Sequence, residues 1–293
     1  MSRILLFALT NIAVLVVASV AMRIFGLEQL LAERGIGSSG MLFLFAVLGM
    51  GGSFVSLLLS KSMAKWSTGA QVLGEPRNST EAWLLQTVSH QAQAAGIGMP
   101  EVAIFPSPSP NAFATGANKD SALVAVSSGL LQNMSREEVE AVLGHEISHV
   151  ANGDMITLTL IQGVLNTFVL FLSRIAGFLV DSFLRRGESD ERGGMGYFLT
   201  SMLFQVLFGI LASIVVMWFS RRREFRADSG GARLAGRENM IRALQRLKSV
   251  SEAPALPREM AAFGISGGGG FARLFMTHPP LDERIEALRR GES

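Results

Sequence analysis

The chain has 293 residues, 49% of them hydrophobic and only 17% charged, with a mean hydropathy of +0.36, a balance too apolar for an ordinary water-soluble protein of this size. A formal charge of +2, with no basic tract interleaved with aromatic residues, argues against a nucleic-acid partner. The absence of cysteine excludes disulfides and thiolate ligands, so any bound metal must be held by histidine and carboxylate.

The apolar excess is gathered into four uncharged windows, each reaching the roughly 20 residues that cross a hydrocarbon core of about 30 Å. Ile4–Met22 lies between Arg3 and Arg23. Arg3 and Ser19-Val20-Ala21 lend it some features of a cleaved signal, but the apolar run is longer than such signals carry, and it is read as an uncleaved anchor over about 4–25. Gly35–Ser60, between Arg34 and Lys61, predicts a second membrane helix over about 38–60, so residues 1–60 form an N-terminal membrane pair.

Residues 61–154 form the first polar segment. Ala82–Pro100 is also uncharged, but Gln86, Thr87, Ser89, Gln91 and Gln93 mark it as a polar helix on which His90 is exposed. Glu101–Phe105 and Ala122–Val126 have strand-like length and composition. Between them, Asn111–Thr115 is bounded by Pro106-Ser107-Pro108-Ser109-Pro110 and a Gly116-Ala117-Asn118 turn. Three short strands, the middle one at an exposed edge, predict a small sheet. Such an edge can pair with an extended substrate backbone, although the same spacing also fits a plain structural hairpin.

Ser135-Arg136-Glu137-Glu138 reads as a capping box, and Val139, Val142, Leu143, Ile147 and Val150 recur at helical spacing until Asn152-Gly153-Asp154 stops them. The helix predicted over 136–151 carries His145-Glu146-Ile147-Ser148-His149. Positions four apart fall only about 40° apart around a helix axis, so His145 and His149 can reach one cation from the same face. Glu146, on the neighbouring side, is left free to take a proton from an attacking water. This is the ligand-and-base pattern of a zinc hydrolase.

Met155–Ser173 and Gly193–Ser220 predict a membrane hairpin spanning residues 155–220, with helices over about 155–180 and 196–220. Gln162, Asn166 and Arg174 make its first helix the weakest of the four. An even number of crossings returns residues 221–293 to the side of 61–154. Lys61, Lys65 and the cluster Arg221, Arg222, Arg223 and Arg226 assign that side to the cytoplasm, against a smaller count of Arg185 and Arg186 in the opposite loop.

A catalytic zinc takes three protein ligands, so the histidine pair needs a partner. A metzincin is excluded, because Asn152 and Met155 stand where its glycine and third histidine would be. Asp154 would have to turn back from the end of the same helix, whereas Glu224 opens Glu224-Phe225-Arg226-Ala227-Asp228 just after the fourth window. Glu224 and Asp228 share one helical face, so one can bind the metal while the other orients a histidine, giving a His2Glu site. Farther on, Gly267-Gly268-Gly269-Gly270 lacks any phosphate-loop context and is read as a linker.

Taken together, Asn111-Ala112-Phe113-Ala114-Thr115-Gly116, the His145–Asp154 run, Glu224–Asp228, and Thr277-His278-Pro279-Pro280 ending in Arg284-Ile285 resemble the HtpX family of heat-shock membrane zinc endopeptidases, relatives of the CAAX prenyl proteases. The resemblance covers nearly the whole chain, including the placement of the four windows. It implies a polytopic α-helical membrane protein with an α+β gluzincin-type metalloprotease domain, in the bacterial inner membrane and facing the cytoplasm. It further implies one Zn2+ per chain, and misfolded or damaged membrane proteins as substrates. Glu146 is then the general base, and Asn111, with Ala112 and Phe113 beside it, holds substrate backbone. His278 is a donor to the oxyanion or else a structural histidine, and Arg284 partners the carboxylates near the zinc. Loops 181–196 and 250–270 match no motif. The rival readings are a CAAX-type peptidase acting on lipidated tails, a non-enzymatic membrane scaffold or holdase, and a metal transporter or sensor.

Overall fold

Three helices dominate the chain, as a computed structural model of residues 38–184, 195–251 and 276–291 shows. They are α1 (Ser38–Thr68), α5 (Asp154–Leu184) and α6 (Met195–Ala235), and each holds a stretch long and apolar enough to cross a membrane: Phe43–Thr68, Asp154–Asp181 and Gly196–Ala235. The first apolar window, with its expected helix over 4–25, lies outside the described residues, as do the Gly267–Gly270 run and most of the two unassigned loops. The chain divides into two compact units, Met1–Ser56 with Leu158–Val216, and Leu57–Thr157 with Met217–Ser293.

In the first unit the helices meet at small residues. A Cβ added to Gly163 would lie 3.2 Å from Met50 Cα, and one added to Gly177 would lie 3.0 Å from Ser201 Cα, so glycine lets the backbones approach. Thr167 and Ser173 are also buried and bond back to the carbonyls of Gly163 and Leu170 in their own helix. The large apolar side chains point the other way: Phe43 and Leu48 on α1, and Phe198 and Leu203 on α6, are more than half exposed. Apolar outside with small and polar inside is the pattern of a lipid-facing bundle, and the chain is a multi-pass membrane protein.

The second unit is built around a four-stranded sheet in the order β1-β2-β4-β3, with β1 Gln71–Val72, β2 Glu101–Phe105, β3 Ala112–Thr115 and β4 Leu123–Ser127. β2 and β4 run parallel with Glu101 opposite Leu123, while β3 runs antiparallel to β4 with Ala112 opposite Val126. The edge position expected for β3 is observed. β1 adds a fourth strand, too short to show a period in the sequence. Helix α2 (Ser79–Ala95) starts at Asn78, whose side chain accepts from Glu81 N–H, and ends at Gly96 in the left-handed region, four residues before the uncharged run ends at Pro100.

One face of the sheet is covered by α2 and by α4 (Arg136–Asn152), the latter preceded by the short α3 (Ser128–Asn133). Val139, Val142, Leu143, Ile147 and Val150 of α4 pack with Leu84 and Val88 of α2, with Val102, Ala114, Val124 and Val126 of the sheet, and with Met240 and Leu244 of α7 (Arg237–Ser251). Ile285 and Leu288 of α8 (Leu281–Arg290) complete this core. On the other face Ala103, Phe105, Leu123 and Ala125 are covered by Ala64 and Phe113. All five residues of β4 are buried, so the strand at the centre of the site's support has both faces covered.

Helix α6 departs from expectation in its length. The membrane helix expected over 196–220 continues unbroken to Ala235, so Glu224 and Asp228 stand on one rod with the apolar stretch. Its 41 residues make it about 60 Å long.

Candidate metal centre

Local sequence dictates α4 at both ends. Ser135 Oγ accepts from Glu138 N–H while Glu138 accepts from Ser135 N–H, the capping box that the sequence predicts, and Glu137 and Glu138 suit the positive end of the helix dipole. At the other end Gly153 takes a φ of 69°, which glycine adopts without strain, and its N–H reaches the carbonyls of His149 and Val150.

On that helix His145 and His149 turn inward together, 7% and 8% exposed, with their Nε2 atoms 3.1 Å apart and their rings at 90°. Glu224 of α6 arrives opposite them, 1% exposed, with Oε2 3.5 Å from His145 Nε2 and Oε1 3.4 Å from His149 Nε2. The approach is close because glycines line it. A Cβ on Gly144 would lie 3.2 Å from Gly231 Cα, and one on Gly230 would lie 2.2 Å from Ser148 Oγ.

The donor set fits a zinc ion. Nitrogen and oxygen ligands about 2.0–2.2 Å from one ion, at tetrahedral angles, stand about 3.3–3.6 Å from each other. The two Nε2 atoms stand 3.1 Å apart and each lies 3.5 or 3.4 Å from a different oxygen of Glu224, separations of that scale. Two imidazoles and a carboxylate also suit zinc chemically. Among the described residues, His145, His149 and Glu224 form the group that could hold a metal ion.

The histidines are oriented from behind. His145 Nδ1 lies 2.9 Å from Asp228 Oδ1, and His149 Nδ1 lies 2.7 Å from Asp154 Oδ2. A carboxylate only accepts, so both rings carry a proton on Nδ1, and in the neutral ring the Nε2 lone pair is left for a metal ion. Arg284 of α8 clamps Asp228 with two hydrogen bonds, Nε to Oδ2 at 2.7 Å and Nη2 to Oδ1 at 2.6 Å, and its Nη1 lies 3.4 Å from Glu224 Oε2. Burial opposes charging His149, yet its bonds to Asp154 and Glu224 and the nearby charge of Glu146 raise its pKa to about 9. His145 is likewise raised, its bonds to Asp228 and Glu224 outweighing burial. The pocket thus favours positive charge at both rings.

His278 joins the same cluster. Its Nδ1 lies 2.8 Å from Glu224 Oε2, although the side chain is 62% exposed, and Arg221 fixes the segment by donating to the carbonyl of Met276. Glu146, half-buried beside the pair, has no hydrogen-bond partner among the described residues. Asn111 is held through its backbone, its N–H donating to Ser127 Oγ and its carbonyl accepting from Ser127 N–H. Ala112 faces the core under α4, whereas Phe113 turns to the opposite face and packs on Phe105 at 5.4 Å between ring centroids. What β3 can offer a substrate is therefore chiefly its backbone edge. His90 is exposed, as expected.

Asp154 is the residue whose part the sequence reading missed. Its place is not at the metal but behind His149, and it depends on the left-handed turn at Gly153. The signal was present as an acid directly after a glycine stop. Arg223 was missed as well: it holds Asp154 by donating to its carbonyl at 3.3 Å, from the residue next to Glu224.

Comparison with known proteins agrees with this geometry. Residues 78–292 match Peptidase family M48. The chain is 60% identical over 291 residues to a protein named Protease HtpX homolog from Thiobacillus denitrificans, covering 99% of each chain. It is 57% identical over 293 residues to Protease HtpX from Thioalkalivibrio sulfidiphilus, again covering 99% of each. The crystal structure of Ste24p from S. mikatae shares the fold, with a TM-score of 0.60 at 20% identity over 92% of this chain and 67% of that one. The chain therefore belongs to peptidase family M48 and is a membrane metallopeptidase.

Proposed function

We propose that the protein is a zinc-dependent endopeptidase of the bacterial inner membrane that hydrolyses peptide bonds of misfolded or damaged membrane proteins on the cytoplasmic side. The observation that carries this reading is the convergence of His145, His149 and Glu224, with one ligand atom of each within 4.8 Å of the others and each imidazole held from behind by a carboxylate. His145, His149 and Glu224 are the ligands. When bound, zinc supplies a Lewis acid that polarises the scissile carbonyl and makes water a nucleophile near neutral pH.

The remaining steps belong to the chain's own side chains. Glu146, which has no competing hydrogen bond among the described residues, takes the proton of the attacking water and passes it to the leaving amine. His278 stands over Glu224, where its ring can donate to the oxyanion of the tetrahedral intermediate. Asp228 and Asp154 keep the imidazoles in the ligating tautomer, and Arg284 holds Asp228 in place. Asn111, Ala112 and Phe113 hold an extended substrate along the edge of β3, where Ala112 offers its backbone and Asn111, whose own backbone is bonded to Ser127, offers its side-chain amide. Residues Lys61 and Lys65 after one span, and Arg221 to Arg223 after another, support the cytoplasmic assignment.

The test is digestion of casein and of an unfolded membrane protein by detergent-purified, chelator-free protein, compared with Glu146→Gln and accompanied by metal analysis. Turnover by the zinc-loaded wild type and none by the variant is expected. Zinc near zero in active protein overturns the metal assignment. Mapped cuts confined to lipidated C-terminal tails would replace the quality-control substrate with a CAAX-type one.

A further inference from the structure

A second recess lies away from the metal centre, where α6, α7 and α8 converge. It is a cavity of about 770 Å³ lined by Arg226, Ser229, Arg233, Arg237, Leu288 and Gly291, among others. Among the described residues no carboxylate lines it. Arg226, Ser229 and Arg233 fall at i, i+3 and i+7 on one face of α6. Gly236, with a φ of 94°, then turns the chain so that Arg237, the first residue of α7, comes back over the same recess. The guanidinium of Arg237 closes against Gly291, where an added Cβ would meet both Nη atoms at 3.7 Å.

Four other arginines on these elements are engaged. Arg284 clamps Asp228, Arg223 bonds Asp154, Arg246 bonds the carbonyl of Asn133, and Arg242 bonds Asn239. Arg226, Arg233 and Arg237 have no hydrogen bond or ion pair with any described residue. Three like charges facing one recess repel each other, and an anion among them turns that repulsion into attraction. A guanidinium presents a planar fork of donors, and a tetrahedral phosphate has enough oxygens to satisfy several forks at once, which a single carboxylate does not. Leu288, 4% exposed, and Ala232 give the recess an apolar floor beside the charge.

We propose that this recess is a phosphate-binding site. The phosphate comes either from a soluble phosphate or pyrophosphate, or from the headgroup of an anionic phospholipid. Both sources are compatible with its place on α6: the uncharged window ends at Ser220 and Arg226 follows about 9 Å farther along the helix. Occupancy would tie α6, which carries Glu224 and Asp228, to α8, which carries Arg284, without touching the metal ligands.

The test uses the full-length, metal-loaded protein. In detergent at low ionic strength, pyrophosphate is titrated with thermal unfolding and phosphorus NMR line width as readouts. In parallel, nanodiscs of phosphatidylcholine with and without phosphatidylglycerol are compared by native mass spectrometry for lipid retained on the protein. Arg233→Gln/Arg237→Gln is set against the charge-matched control Arg77→Gln/Arg242→Gln, with Arg226→Gln as an independent single variant in the recess. Binding weakened about tenfold or more in both recess variants, and unchanged in the control, is expected. Pyrophosphate binding in detergent assigns the soluble source, and phosphatidylglycerol retention without pyrophosphate binding assigns the lipid. Failure of both probes, or equal loss in recess and control variants, overturns the proposal.

Discussion

Asp154 Oδ2 stands 2.7 Å from His149 Nδ1, so the residue that opens one membrane helix also sets the ring of a ligand on the helix before it. The left-handed turn at Gly153 makes this possible by folding the chain back within five residues. Replacing Asp154 with Asn keeps the size but offers an amide that can donate to Nδ1, which favours the wrong tautomer. We expect metal affinity to fall about 10–100-fold, as for other groups that orient a metal-binding histidine. Chelator competition on the purified variant measures it, and wild-type affinity would show that Asp154 does not orient His149.

The parts of this site that were legible in the sequence are those fixed locally or by periodicity. The capping box, the pair at i and i+4, and the second acidic pair at 224 and 228 are all helix-register statements, and the helices form in that register. The edge position of β3 was legible because prolines and a glycine turn isolate it. The reach of α6 was not, because a hydropathy window stops at Arg221 whereas a helix does not: Arg, Glu and Ala in 221–235 are good helix formers, polar or not. The role of Asp154 was hidden for the opposite reason, since it depends on one backbone turn rather than on any periodic pattern. Phe113 lies in the Asn111–Gly116 run, yet strand alternation turns its side chain to the far face of the sheet, which composition alone does not reveal.

Glu146→Gln preserves shape and leaves the three ligand candidates untouched, so bound metal and unfolding temperature should match wild type. Peptide hydrolysis should fall by about 10²–10⁴-fold, the usual worth of a positioned general base. Undiminished proteolysis with metal retained would remove Glu146 from the reaction.

Gly230→Val tests whether close helix approach, rather than ligand identity alone, builds the centre. An added Cβ there lies 2.2 Å from Ser148 Oγ and 2.5 Å from Ser148 Cβ, so α6 and α4 must separate. Overpacking of this kind costs about 1–3 kcal/mol. Because Glu224 meets the histidines only across that contact, metal content should drop although no ligand has changed. Full metal occupancy in a folded Gly230→Val protein would show that the site tolerates the displacement.

Arg284→Met separates stability from ligation. Asp228 is 1% exposed and loses both of its guanidinium bonds in this variant, and an uncompensated buried carboxylate costs about 3–5 kcal/mol. Adding Asp228→Asn removes the stranded charge, so the double variant should recover part of the stability while still binding metal poorly, because His145 has lost its anionic acceptor. Additive losses of stability in the two variants would mean that the pair is not coupled.

The last prediction concerns protons. In the metal-free protein His149 titrates at about 9, and His145 is also raised, because the carboxylates behind and opposite the rings outweigh burial. In the unfolded chain an imidazole titrates at about 6.5. The protonated rings therefore contribute stability that is fully present below about pH 6.5 and is lost as pH rises through about 9. A metal ion needs both Nε2 lone pairs, so uptake near neutral pH must expel protons bound at the rings, and affinity must climb with pH until the rings are neutral. Zinc titration calorimetry in buffers of different ionisation enthalpy counts those protons, and unfolding of the chelated protein across the same range follows the stability. Zinc binding without proton release, or chelated protein whose stability is flat between neutral pH and pH 9, would mean that the pocket does not favour positive charge at His145 and His149.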